Sequence, residues 1–198
     1  MEQYNKYIRQ MEQAGRRAYG IKLQSGDGGN LSIRIKNEEL ILIKASGCSM
    51  GELNEDNIVL VDFEGNVIAG KKKPSREILT HIAIYKSRVD VEAIFHSHSP
   101  WTVSMAQFFD VLPGILLPLE MKIGVVPIID AKDNHSNDQV AQLAAKTITE
   151  DPTCKCFIQR RHGLFCMSSS IIKAEHDAEL IEDASQIALL DEQVRRKR

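Results

Sequence analysis

The sequence predicts a single-domain α/β protein: a mixed, mostly antiparallel central β-sheet with helices on both faces, a three-layer α/β/α arrangement. Three observations predict it. Short β-prone segments in the first half are joined by turns at 37–39 and 64–66, the pattern of antiparallel hairpins. Segments near 3–19, 75–85 and 137–149 instead repeat their apolar residues at steps of three and four, as helices packed on a sheet do. No repeat, low-complexity stretch or linker interrupts residues 1–198, so one domain is expected over the whole chain.

In order, Tyr4, Tyr7, Ile8, Met11, Ala14, Ala18 and Tyr19 form the stripe of an amphipathic helix. Gly26-Asp27-Gly28-Gly29-Asn30 follows, either a loop whose amides approach a ligand closely or a flexible turn. Residues 31–36 alternate apolar with polar and 40–43 are an apolar run, giving a first hairpin; 58–61 and 67–69 give a second. Ser75 is placed to cap a helix carrying Ile78, Leu79, Ile82, Ala83 and Tyr85, with Glu77 in its first turn. A strand ending at His96-Ser97-His98 leads to a helix from Pro100 through Phe108, proline being tolerated in a first turn. Residues 110–118 read as irregular, 125–129 as a strand and 137–149 as a helix. Strands at 156–159 and 164–167 flank Arg160-Arg161-His162-Gly163, and a long helix closes the chain over about 170–195.

Composition removes several function classes. A formal net charge of −2 offers no general attraction to nucleic acid or anionic membrane, and the one concentrated basic run, Arg195-Arg196-Lys197-Arg198, reads as a solvated helix end. No apolar run approaches the roughly 20 residues of a membrane span, and residues 1–20 lack the apolar core of a signal peptide. A soluble cytoplasmic protein is expected. The four cysteines, Cys48, Cys154, Cys156 and Cys166, then read as reduced, buried thiols; a zinc site of Cys154, Cys156 and His162 lacks the usual second pair.

The chemistry concentrates at His96 and His98. Two histidines at i and i+2 on a strand place both imidazoles on one face, where they can share a cation. Of the others, His162 sits in a tight turn beside Gly163 and suits a ligand; His81, one helical turn after Glu77, suits a structural hydrogen bond; His135 and His176 read as solvated or partner-bound. Glu77 at a helix N-terminus is favoured as an anion. The Gly28-Gly29-Asn30 loop, the Ser46-Gly47 turn and Ser75 before a helix offer amides and hydroxyls of the kind that cradle phosphate, so a small phosphorylated substrate is expected.

Taken together, Gly29-Asn30-Leu31-Ser32, Ser46-Gly47, Asp62-Phe63-Glu64-Gly65-Asn66-Val67, Pro74-Ser75-Arg76-Glu77 with His81 and Tyr85, His96-Ser97-His98-Ser99 and His162-Gly163 resemble the class II aldolase and adducin family. The motifs stand in family order across nearly the whole chain, and the family includes aldolases, epimerases and dehydratases of sugar phosphates. The resemblance implies a divalent metal, zinc first with iron, cobalt or manganese as alternatives, held by His96, His98 and His162 with Glu77 as ligand or base. It implies a phosphate site at Asn30, Ser46, Gly47 and Ser75, a homotetramer with active sites between subunits, and a metal-dependent aldehyde-lyase acting on a small phosphorylated ketose through a metal-stabilised enediolate. An epimerase, a dehydratase, a decarboxylase and an adducin-like interaction module without chemistry are the alternatives.

Three departures qualify the transfer. Arg76 stands where the family carries a second hydroxyl, and Lys44-Ala45 where it carries threonine and proline. Extra positive charge there would grip a phosphate or carboxylate more strongly, or mark a different substrate. The tyrosines used elsewhere in the family for proton transfer have no counterpart late in this chain, whose tyrosines are Tyr4, Tyr7, Tyr19 and Tyr85. Glu120 is the substitute acid/base residue, in a segment that resembles the dehydratase branch.

Overall fold

A computed structural model describes residues 1–131 and 137–195. Its centre is an eight-stranded sheet of order β4-β3-β2-β1-β5-β8-β7-β6, where β1 is Asn30–Arg34, β2 Leu40–Lys44, β3 Ile58–Asp62, β4 Val67–Ala69, β5 Ala93–Ser97, β6 Ile128–Ile129, β7 Cys156–Gln159 and β8 Gly163–Ser168. Every pair is antiparallel except β6 with β7. The helices are α1 (Asn5–Gly20), α2 (Ile78–Ser87), α3 (Pro100–Met105), α4 (Leu117–Lys122), α5 (Asn137–Glu150) and α6 (Ile171–Arg195). None is long and apolar enough to cross a membrane among the described residues.

Two separate cores hold the layers together. Leu31, Ile33, Leu42, Phe95, Cys156 and Cys166 face α1, α3, α4 and α6, whereas Ile41, Ile43, Ile94, Phe157, Phe165 and Met167 face α2 and α5. A central strand is therefore buried on both sides, which is why 40–43 reads as an uninterrupted apolar run. Burying a Leu, Ile or Phe side chain contributes about 1.5–3 kcal/mol, so each layer is fixed by many such terms. Cys154, Cys156 and Cys166 are buried as expected.

Several boundaries differ from the sequence reading, and the helix expected from Pro100 through Phe108 stops at Met105. Ser75 does not cap α2: its amide donates to the Lys44 carbonyl and Pro74 bridges to Ala45, which keeps this segment extended beside β2. The helix starts only at Ile78, leaving Glu77 in the N-cap position with the Ser75 hydroxyl accepting from its amide. The strand expected over 125–129 shortens to Ile128–Ile129 because Pro127 has no N–H to give a ladder. The segment read as irregular ends in α4, which carries Glu120.

An unusual carboxyl ties α1 to α6. Glu175 is fully buried with neither oxygen hydrogen-bonded, 3.6 Å from the Arg17 guanidinium that itself forks onto Glu179. Burial, then the neighbouring Glu179 carboxylate, pushes Glu175 up to about 8. The folded chain thus holds a proton that the unfolded chain releases near its ordinary value of 4.5. Stability is expected to fall as pH rises from about 4.5 to about 8. Urea melts across that range should show the slope, and Glu175→Gln should flatten it; a variant with the wild-type slope would disprove the assignment.

Candidate metal centre

The site forms where β5 ends at the middle of the sheet. Pairing of β5 with β1 on one side and β8 on the other sets Asn30, His96 and Phe165 in one row across the face covered by α2. His96 is fully buried, its ring stacked on Phe165 at 4.0 Å between centroids. His162 arrives from the turn between β7 and β8, in which Arg161 has a φ of 60° and the His162 amide donates to the Gln159 carbonyl. His98 follows the end of β5 and is the least buried of the three, its ring set against the other two imidazoles. Ligand atoms of His96, His98 and His162 all lie within 4.8 Å of one another, and the ring centroids are 4.8–5.1 Å apart.

Hydrogen bonds fix what these rings present. Nδ1 of His96 lies 2.9 Å from the Leu164 carbonyl, an acceptor only, so Nδ1 carries the proton and Nε2 turns its lone pair to the cluster when the ring is neutral. Burial, with His96 and His162 alongside, pushes His98 down to about 3, which keeps it neutral over the physiological range. A ring held from behind as His96 is, with its other nitrogen turned to the cluster, suits a divalent metal.

Glu77 joins them from the start of α2. Its Oε1 is 2.8 Å from His162 Nε2 and its Oε2 is 3.1 Å from His96 Nε2, while the side-chain amide of Asn30 donates to Oε2. Burial opposes its ionisation, but His96 and His162 outweigh that and hold the carboxyl well below the usual carboxylate range. The structure thus brings together all four residues expected at the metal.

Gly163 is where the chain comes closest to them. A Cβ there would lie 2.3 Å from the Ser97 carbonyl oxygen, 2.9 Å from the His96 ring and 3.1 Å from the His98 ring. Gly163→Ala is therefore expected to destabilise the fold by about 2–4 kcal/mol, since a backbone oxygen in a central strand cannot yield. Chemical denaturation should show it; a variant within 0.5 kcal/mol of wild type, at about the usual size of a surface change, would contradict the geometry.

The three loops expected to receive phosphate are neighbours. Lys44, 2% exposed, runs between them and donates to the carbonyls of Asp27, Ala45 and Cys48. Its three N–H bonds are thereby used, so it ties the glycine loop to the Ser46-Gly47 turn and lends the site only its field. Ser46 donates its amide to Lys73, Gly47 holds a φ of 70° in open space, and Ser75 is buried beside them. Arg76 is exposed on the same segment. Asn30 gives its amide group to Glu77 and leaves its buried Oδ1 without a partner.

Other residues fall elsewhere. His81 bonds through Nδ1 to the Ser32 hydroxyl at 2.7 Å, and Ser32 also meets Tyr85 at 2.8 Å, so its structural role holds with a different partner from Glu77. His176 is exposed on α6, and His135 and residues 196–198 lie outside the described residues. Glu120 is exposed on α4, which packs on α6 across the sheet from the imidazoles; no described contact joins it to them within one chain. Sequence reasoning missed Gln24, whose buried amide accepts from the backbone of His98; a lone glutamine after a helix carries no signal of its own.

Comparison with known proteins identifies the family. The model of the class II aldolase and adducin N-terminal domain matches residues 9–189. The L-fuculose phosphate aldolase of Methanocaldococcus jannaschii is 31% identical over 180 residues, covering 89% of this chain and 92% of its own. The 3-oxo-tetronate 4-phosphate decarboxylase of Haemophilus influenzae is 27% identical over 182 residues, covering 89% and 84%. The solved structure of YgbL from Klebsiella pneumoniae superposes with a TM-score of 0.85 at 26% identity over 94% of this chain and 89% of that one. With the family match spanning residues 9–189, the chain belongs to the class II aldolase and adducin N-terminal domain family.

Proposed function

We propose that the protein is a metal-dependent aldehyde-lyase that cleaves a small phosphorylated ketose. The observation that carries this reading is the meeting of three imidazoles and an anionic glutamate beside three loops suited to phosphate. A divalent cation, zinc in the first instance, would be held by His96, His98 and His162 with Glu77, and when bound supplies Lewis-acid stabilisation of charge developing on substrate oxygens. Glu77, anionic and oriented by Asn30, moves the proton at the carbon beside the carbonyl. The exposed Ser46-Gly47 turn, with Ser75, Arg76 and the loop ending at Asn30, receives the phosphate. The family pattern favours a cytoplasmic homotetramer with sites between subunits, in which Glu120 of a neighbouring copy would be the second acid/base group.

Decarboxylation is the second reading, favoured by the likeness to the Haemophilus influenzae decarboxylase over most of both chains. A panel of ketose 1-phosphates and 3-oxo acid phosphates, with product identification, separates the two. The lyase reading predicts chelator-sensitive release of dihydroxyacetone phosphate and an aldehyde; release of carbon dioxide or water instead moves the assignment to a decarboxylase or dehydratase. Glu120→Gln retaining full turnover would remove that residue from the mechanism.

A further inference from the structure

We propose that Gln24 is a positioning residue for the metal centre, aiming His98 by holding its backbone amide. Gln24 is 4% exposed and lies four residues past the end of α1; its amide and that of Leu23 both turn back to the Ala18 carbonyl, so its backbone is anchored to that helix. Its Oε1 accepts from the His98 amide at 2.6 Å, and its Nε2 donates to the Ser25 carbonyl at 2.7 Å, which fixes the orientation of the side-chain amide. A second tie runs alongside, from the Ser99 hydroxyl to the Leu23 carbonyl at 3.3 Å.

His98 depends on such a hold more than its companions do. The ring of His96 is fixed by the Leu164 carbonyl and by stacking on Phe165. Among the described residues, the His98 ring has no hydrogen bond, and its position lies beyond the last residue of β5. Its ring touches the other two imidazoles and the glycine loop, so where it stands is set largely by its own backbone, which Gln24 holds by its amide.

The glycine loop is built around the same amide. A Cβ at Gly28 would lie 2.6 Å from Gln24 Nε2 and 2.8 Å from His98 Nδ1, and one at Gly29 would lie 2.7 Å from Gln24 Oε1 and 2.6 Å from the His96 carbonyl. Glycine at both positions lets the loop close over Gln24 and His98 together. Gln24 thereby couples the metal side of the site to the loop that presents Asn30 to Glu77.

This inference rests on the three-histidine metal site and is independent of which bond the enzyme breaks. Its test uses Co²⁺ alone as the probe, with the full-length protein. Gln24→Leu, which fills the same space without an acceptor, is expected to weaken Co²⁺ binding by about 10–100-fold and to shift the cobalt d–d absorption. Gln24→Glu keeps an oxygen for the His98 amide but sets the other against the Ser25 carbonyl; it should lower the melting temperature yet retain the wild-type spectrum and affinity. A leucine variant with wild-type affinity and spectrum overturns the proposal whatever its stability, as does a glutamate variant that loses the spectrum. Wild-type protein that binds no Co²⁺ overturns the metal centre itself.

Discussion

His96→Ala is expected to abolish metal retention, lowering affinity at least ~100-fold, because even partners behind a ligand cost 10–100-fold when removed. His96 is the fully buried imidazole of the three, held between the Leu164 carbonyl and the Phe165 ring. Two nitrogens, from His98 and His162, would remain. The accompanying loss in kcat/KM is expected to be on the order of 10³-fold, the rate equivalent of the several kcal/mol a Lewis acid supplies. Elemental analysis of protein dialysed against a chelator and reloaded provides the measurement. His176→Ala, at an exposed position on α6, serves as the control and should hold metal as wild type does. Unchanged metal content in His96→Ala would show that the cluster is not the metal site.

Glu77→Gln is expected to lower turnover by about 10²–10⁴-fold, the usual contribution of a positioned general base. The carboxylate is held anionic by His96 and His162, oriented by Asn30, and placed at the start of a helix whose dipole also favours its charge. The amide keeps the shape and loses the charge. Metal content should fall less than in His96→Ala, since three imidazoles remain. The metal-free variant should also be less stable at neutral pH: a carboxyl held below its ordinary value of 4.5 stabilises the fold above that pH, and the contribution is lost as pH falls. Single-turnover kinetics on the substrate found in the panel, with thermal melts at pH 7 and pH 4, test both parts. Turnover close to wild type would take Glu77 out of the proton transfer.

Much of this molecule is legible locally. The apolar runs, helical stripes and turn residues specify the elements, because propensity and burial act over a few residues and leave a period in the sequence. The histidine pair was legible for the same reason, since strand spacing alone puts His96 and His98 side by side. Boundaries failed where a distant partner overrode the local signal: Ser75 is drawn into an extended bridge by Lys44, across thirty-one positions of sequence, and Pro127 leaves a short strand beside β7.

Other features had no local trace. Lys44 reads in sequence as a charge free to grip an anion, and only the packed loops reveal that carbonyls of Asp27, Ala45 and Cys48 use its donors. The alternation in β1 gives its apolar face; that its polar face, Asn30, Ser32 and Arg34, lies under α2 and touches Glu77, His81 and Tyr85 follows from the strand order. Sequence by itself pointed to most of the elements, to the family and to the four residues that meet at the candidate metal centre. Tertiary structure decided how they meet: inserting β5 between β1 and β8 carries His96 to the sheet centre, brings His162 within 3.2 Å of it from sixty-six residues away, and leaves His98 to be aimed by Gln24. Contacts of that range depend on which strands pair, and pairing is settled by the burial of both sheet faces at once, a property of the whole chain that no short window contains.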